Sequence, residues 1–590
     1  MNRYPTPLCL ILTGLLAWLP FSSAWAGTAA DCKDSDAVAI WTSPRQPLAG
    51  ESLKVMAVAG DGALQGLQLS RADGNAIPLP TVERGGPPWS LSTVLEHAEA
   101  GDYTLEALRD GQPVACRTVR VGGAATRPIQ GWDPATEAFY SAWIEQLFDA
   151  PLDADMSFPS LEPVLRDNSR NFLHDYLSRG EDAKFTATPD CADLPYFLRS
   201  YFAWKIGLPV GFRACSRGSN NSPPRCGPPT VLDSFTHGPA PLSAFKSTIF
   251  QVINGVHSGS ARTGLLDDAT DFYPLPLQRE TLWPGTIYAD PYGHTLMIVK
   301  WLPANAERSG LLLAVDAQPD NSVARKRFWE GTFLFADDVA SAGPGFKAFR
   351  PLLTTAGGLI TPKNAALADS PLPYSDEQAE LSRDAFYARM GKLINPAGLD
   401  PQQAYESMLD ALVEQLNTRV NSVDAGEKYL RAHPGTVVDM PQGAAIFETI
   451  GLWEDYSTPS RDMRLIIAMN VLDNLPNQIV RHPELFVLAG RAPEQAKKDL
   501  EQLHRQRIRQ RSIRYIRSDA SPYELSLAEI FARKAAFEMS YNPNDCAELR
   551  WGAQPGTAEY ATCGRQAPPA QHARMEQYRV WFREARRPSR

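Results

Sequence analysis

Thr188-Pro-Asp-Cys-Ala-Asp-Leu-Pro-Tyr-Phe-Leu-Arg-Ser-Tyr-Phe-Ala-Trp-Lys-Ile-Gly-Leu-Pro209 is the stretch on which the reading of this chain turns. Leu194, Leu198, Tyr201 and Phe202 recur at helical spacing, and Thr188 or Asp190 supplies the cap. Cys191 therefore stands at a helix start. There the positive end of the helix dipole favours thiolate, and a backbone amide can help hold a developing oxyanion. Pro195 lies four residues after Cys191 and cannot return a helical hydrogen bond to its carbonyl. Either the first turn is distorted or the helix begins slightly later.

A nucleophilic thiol needs a base, and the base needs an orienting group. His294 opens an apolar strand in Ala289-Asp-Pro-Tyr-Gly-His-Thr-Leu-Met-Ile-Val299, and Asp316 ends the next one in Leu311-Leu-Leu-Ala-Val-Asp-Ala-Gln-Pro319. Antiparallel neighbours joined by a short loop bring such side chains together at one end. A lone strand histidine is more often structural than catalytic. The strand-mouth position followed by Asp316 reverses that preference. Asp290, in a turn with Pro291, is a weaker rival as orienter, and His257 in Gly255-Val-His-Ser-Gly-Ser260 reads as structural or exposed.

The order of nucleophile helix, histidine strand and aspartate strand resembles the papain-like superfamily, especially its transglutaminase-like branch. Asp190 to Pro209 looks like that branch's cysteine helix with its trailing Gly-Leu-Pro turn, and Val-Asp-Ala-Gln-Pro like its aspartate strand. NlpC-type cell-wall endopeptidases are similar in their Asp-Cys helix start. Trp283-Pro-Gly-Thr-Ile-Tyr288 followed by Gly293-His294 looks like their Pro-Gly-Asp and Gly-His strands. The resemblance covers about residues 165 to 320. It departs from both families in the long interval between Cys191 and His294, which also holds Cys215 and Cys226. It implies Cys191, His294 and Asp316 as the catalytic triad.

The flanks read differently. Arg3, the apolar run Leu8 to Leu19 and Ala24-Trp-Ala26 form a secretory leader, with cleavage expected after Ala26 and a soluble, exported mature chain. No second apolar run follows that could span a membrane. Asp31 rather than a small residue precedes Cys32, so a lipoprotein site is not expected. Of the eight cysteines Cys9 leaves with the leader. Cys32 with Cys116, Cys215 with Cys226, and Cys546 with Cys563 are the candidate disulfides, and Cys191 is left over, either buried and inert or reactive.

Short alternating segments between residues 32 and 122, punctuated by Gly60-Asp-Gly62, Ala72-Asp-Gly-Asn75 and Arg109-Asp-Gly111, predict an immunoglobulin-like β-sandwich. Gly122 to Pro128 reads as a linker. Residues 129–365 carry the α+β papain/transglutaminase-like core, and residues 370–590 an all-α domain whose clearest helices span 376–418 and 494–517. Arg505, Arg507, Arg509, Arg511, Arg514 and Arg517 crowd the latter; a solvated or internally paired face is preferred over an anion-binding one. Trp453-Glu-Asp-Tyr-Ser-Thr-Pro-Ser-Arg461 reads equally as pocket lining or an ordinary loop.

The chain's 590 residues, 44% of them hydrophobic and 21% charged, describe a multidomain globular protein. A net charge of −9 argues against nucleic acid as partner. His-Glu-x-x-His, paired Cys-x-x-Cys, phosphate-loop and Gly-x-Ser-x-Gly patterns are missing, and no metal or organic cofactor is expected. The expectation is a periplasmic or secreted cysteine hydrolase acting on an amide, with peptidoglycan peptides as substrate. The alternatives are a transglutaminase-type acyl transferase and a non-catalytic envelope binding or scaffold protein.

Overall fold

Eight strands fill the segment before the linker: β1 (Val38–Ser43), β2 (Leu53–Ala59), β3 (Gly66–Arg71), β4 (Ala76–Ile77), β5 (Val82–Gly85), β6 (Trp89–Leu95), β7 (Gly101–Arg109) and β8 (Gln112–Val121). In the computed structural model they form two four-stranded antiparallel sheets, ordered β1-β2-β6-β5 and β4-β3-β7-β8. The structure describes residues 33–587, apart from residues 36, 124–130, 219–221, 292, 337–342 and 448–450. The leader, Cys32 with its expected bridge to Cys116, and most of the expected linker lie outside the described residues. Ile40, Val55 and Ala57 from one sheet meet Leu69, Leu105 and Ala107 from the other in a shared core. The outer face of β1 and β2 is also apolar: Trp41 stacks on Phe139 with ring centroids 4.3 Å apart. Both strands are therefore buried on two faces and read as near-continuous apolar runs rather than a clean alternation. Asp110 and Gly111 turn β7 into β8 with positive φ at both positions (51° and 73°), the tight hairpin geometry that Asp-Gly favours.

Nine more strands follow: β9 (Ser157–Phe158), β10 (Val210–Cys215), β11 (Cys226–Leu232), β12 (Phe272–Pro274), β13 (Ile287–Ala289), β14 (Thr295–Leu302), β15 (Leu311–Ala317), β16 (Val323–Arg327) and β17 (Gly345–Phe349). Seven of them make one antiparallel sheet, ordered β12-β17-β13-β14-β15-β16-β9. Its alternating residues feed two cores. Ile287, Met297, Leu313 and Val315 pack with the helices Pro134–Leu147 and Asp193–Ile206, while Tyr288, Ile298, Leu312 and Phe346 pack with the helix Arg383–Ile394. A helix on each face is what a sheet without a polar side requires. The helix Asp193–Ile206 stops at Gly207, whose φ of 90° needs a residue without Cβ strain.

Beyond residue 383 helices dominate, with two departures from the expected spans. The stretch 376–418 is not one helix: Arg383–Ile394 ends at Asn395, and after Pro396 and Gly398 a 32-residue helix, Pro401–Ala432, begins under the Asp400 cap. The stretch 494–517 is helical only over Pro493–Gln510; Ser512–Ile516 is a strand paired with Pro522–Ser526. Alternating Ile513, Tyr515 and Leu525 are buried there, and that period of two outweighs the helix-forming arginines around it. The described residues thus form a mixed α/β protein built on antiparallel sheets. None of their helices is long and apolar enough to cross a membrane. The disulfides Cys215–Cys226 and Cys546–Cys563 are both formed, which fits an exported protein.

Candidate active site

The helix carrying the cysteine begins later than its sequence cap suggests. Asp190 Oδ1 accepts the amides of Ala192 (2.8 Å) and Asp193 (2.9 Å), and the helix proper runs from Asp193. Pro195 thereby falls in the first turn, where its missing N–H costs nothing. Cys191 is held in the capping turn, half-buried, and it is the free cysteine among the described residues.

His294 immediately precedes β14, and Asp316 lies near the end of β15. Met297 faces Val315 across that ladder, so both side chains reach the same end of the sheet. His294 Nε2 donates to Asp316 Oδ2 at 2.8 Å. Nδ1 of the same ring makes no hydrogen bond among the described residues. Cys191, His294 and Asp316 all line one cavity of about 570 Å³, together with Asp193, Gln318, Lys326, Arg461 and Arg464. The backbone amide of Thr295, next to the histidine, acts on the cysteine sulfur in the sense that favours its thiolate. The three residues picked out in the sequence are thus brought together.

Electrostatics correct one expectation. Cys191 was expected to favour thiolate from its place on the helix dipole. Burial instead pushes its pKa well above the ordinary 9.0, and the nearby Asp190, Asp316 and Asp193 push the same way, against the Thr295 amide. Desolvation and like charge at close range outweigh a dipole worth a fraction of a charge. Asp193 itself is pushed up to about 8, by burial and by Asp190. Burial lowers His294 below 6.5 despite its bond to Asp316, with Arg464 adding to the depression. Asp316 stays below the usual carboxylate range because Lys326, His294 and Arg461 together overcome its burial. At neutral pH the resting site therefore holds a thiol, a neutral imidazole and a carboxylate.

The two rivals have other work. Asp290 forms an ion pair with Arg464 in the turn between β13 and β14, and its backbone N–H donates to the His294 carbonyl (2.9 Å) rather than its carboxylate holding the ring. His257 lines the cavity, yet its Nδ1 accepts from the Gly259 amide (2.9 Å) and its Nε2 donates to the Cys215 carbonyl (2.8 Å). Both ring nitrogens are spent on capping the short helix Ser258–Ala261 and tying it to β10.

Several site residues escaped sequence reasoning. Gln318 donates to Asp316 Oδ2 at 2.5 Å, and Lys326 Nζ lies 3.6 Å from Oδ1. Gln318 was legible in principle: two residues after Asp316, it shares that strand face. Arg464 and Arg587 also reach the cavity, Arg587 with its guanidinium on Ser460 Oγ (2.8 Å) and 5.0 Å from the Phe447 ring centroid. No local pattern links them to triad residues lying well over a hundred positions earlier in the chain. The arginine-rich stretch is partly paired and partly solvated: Arg507 in the helix and Arg511 just after it pair with Glu406 and Asp410, while Arg505 and Arg509 are exposed.

A metal-type grouping exists elsewhere among the described residues, Cys546, Glu548 and Cys563. Both sulfurs are consumed in the disulfide, and the Glu548 carboxylate accepts from Ser518 and Thr562. That is a structural knot, not a ligand set. No family model, curated protein or solved structure matches this chain.

Proposed function

We propose that this protein is an exported cysteine hydrolase that cleaves an amide bond through Cys191, His294 and Asp316, with peptide stems of peptidoglycan as the substrate class. The supporting observation is the 2.8 Å bond from His294 Nε2 to Asp316, which leaves Nδ1 available inside the cavity that Cys191 lines. The neutral thiol transfers its proton to Nδ1 as sulfur attacks the amide carbonyl. The imidazolium, stabilised by Asp316, then protonates the leaving amine, and a thioester remains on Cys191. Water, deprotonated by His294, attacks that thioester, releasing the acid and returning the thiol. The papain-like and transglutaminase-like resemblance of residues 165 to 320 supports the same roles.

The test is incubation of the mature protein with purified muropeptides, following new amino termini by mass spectrometry. Cleavage lost in both Cys191→Ala and His294→Ala supports the reading; a Cys191→Ala variant as active as wild type sinks it. Addition of dansylcadaverine separates hydrolysis from transamidation, because only an acyl transferase incorporates it into product. One observation favours the non-catalytic alternative: the thiol is held in its protonated form. Absence of turnover, together with tight muropeptide binding that survives Cys191→Ala, would establish that reading instead.

A further inference from the structure

We infer that Arg461, contributed by the helix Pro459–Arg481, is a positioning residue of the candidate triad, acting on Asp316 through the Gln318 amide; this rests on the triad reading above. Four side chains stand in a continuous line. Arg461 donates from Nε (3.2 Å) and Nη2 (3.1 Å) to Gln318 Oε1. Gln318 Nε2 donates to Asp316 Oδ2 at 2.5 Å, and that same oxygen accepts a hydrogen bond from His294 Nε2 at 2.8 Å.

The chemistry of the amide explains why the arginine matters. Gln318 has one acceptor end and one donor end. With its oxygen claimed by the guanidinium, only its NH₂ can face the carboxylate. A flipped amide would set its oxygen against the carboxylate and its NH₂ against the guanidinium, so Arg461 reinforces the sense that Asp316 requires. Arg461 is itself anchored, by an ion pair to Asp320 at 3.1 Å and a hydrogen bond to Ser422 Oγ. The other carboxylate oxygen is served in parallel: Lys326 stands 3.6 Å from Asp316 Oδ1 and donates to Thr418 Oγ1 (3.3 Å) on the helix Pro401–Ala432. Helices far along the chain therefore complete the orientation of a histidine that belongs to the sheet.

Asp316 Oδ2 divides its charge between Gln318 and His294. Removing the Gln318 donor, or the arginine behind it, leaves the carboxylate to draw more strongly on the imidazole. The charged groups facing His294 are Asp316, Asp290 and Arg464, and those facing Asp316 are Lys326, His294 and Arg461. Only the Arg461 route is altered by the variants below.

The experiment is a ¹³Cε1-histidine NMR titration of the full mature chain, with the His294 signal identified by its loss in His294→Gln. In Arg461→Ala and in the isosteric Gln318→Glu, the His294 midpoint should rise by about half a pH unit or more. Muropeptide turnover should fall on the order of 10- to 100-fold in kcat, with KM little changed. Arg461→Lys should recover part of both. A His294 midpoint equal to wild type in the folded variants overturns the inference. A midpoint that moves while wild-type protein cleaves no muropeptide leaves the coupling standing and discards the hydrolase reading, so the two failures are distinguishable.

Discussion

Two cavities of nearly equal size open where the seven-stranded sheet meets the helices, about 570 Å³ and 510 Å³, and β15 contributes to both. At one end of that strand, Leu311 and Leu312 face Phe328, Tyr387, Met408 and Phe486 in a largely apolar space. At the other, Asp316 faces His294, Lys326 and Cys191. Volume does not tell them apart. What differs is the convergence of titratable groups whose environments move them in opposite directions, the thiol up and the imidazole down. A cluster of strongly perturbed titratable groups around one space is a better guide to chemistry than volume, although here the shifts oppose a resting transfer from thiol to imidazole.

The sharpest way to break this comparison is Cys191→Ala, which should lower muropeptide cleavage by roughly 10³- to 10⁴-fold while thermal unfolding stays within a few degrees of wild type. Asp316→Asn comes next: loss of the carboxylate that holds the imidazole should cost roughly 10²- to 10⁴-fold in kcat. In the apolar cavity the expected currency is stability. Leu312, fully buried, should cost about 2–5 kcal/mol in urea unfolding when changed to Ala, with the kinetics of the surviving folded protein unaltered. The pH dependence sharpens the contrast further. With neutral His294 as the proposed base, turnover should climb with pH through a midpoint below the ordinary imidazole value and then level off. Iodoacetamide labelling of Cys191 needs thiolate and should still be rising beyond pH 9; a labelling plateau at pH 5 would instead mean a preformed ion pair. Smallest of all, His257→Gln should change kcat by less than about threefold, because that ring's nitrogens serve the backbone rather than the reaction.

Much of the strand framework was legible. The alternation of β6 to β8, the apolar β14 and β15, and the helix ended by Gly207 all follow local rules that tertiary packing did not override. The helix break at Pro396 and Gly398 obeyed equally local rules that were passed over. β16 was hidden for a different reason. Arg325, Lys326 and Arg327 carry charge, yet the strand is mostly buried: Arg325 donates to the carbonyls of Pro151, Leu152 and Ala154, and Arg327 pairs with Asp410 and Glu414. Charge buried against partners distant in sequence leaves no periodic trace. The site divides along the same line. Its cysteine, histidine and aspartate announced themselves by position on their elements, whereas Arg461 and Arg464 reach it only through the packing of one layer on another.

The raised thiol also bears on how a free cysteine withstands oxidation. Oxidation, mixed-disulfide formation and attack on stray electrophiles all proceed through thiolate. In an oxidising compartment, where Cys215 and Cys226 pair only a short distance along the chain, an exposed and ionised Cys191 would compete for the same oxidants. Kept protonated by burial and by Asp190, the thiol is slow toward such reagents at rest, and on the mechanism proposed above only substrate entry would let His294 take its proton. The buried setting that makes Cys191 slow at rest is then a form of chemical storage.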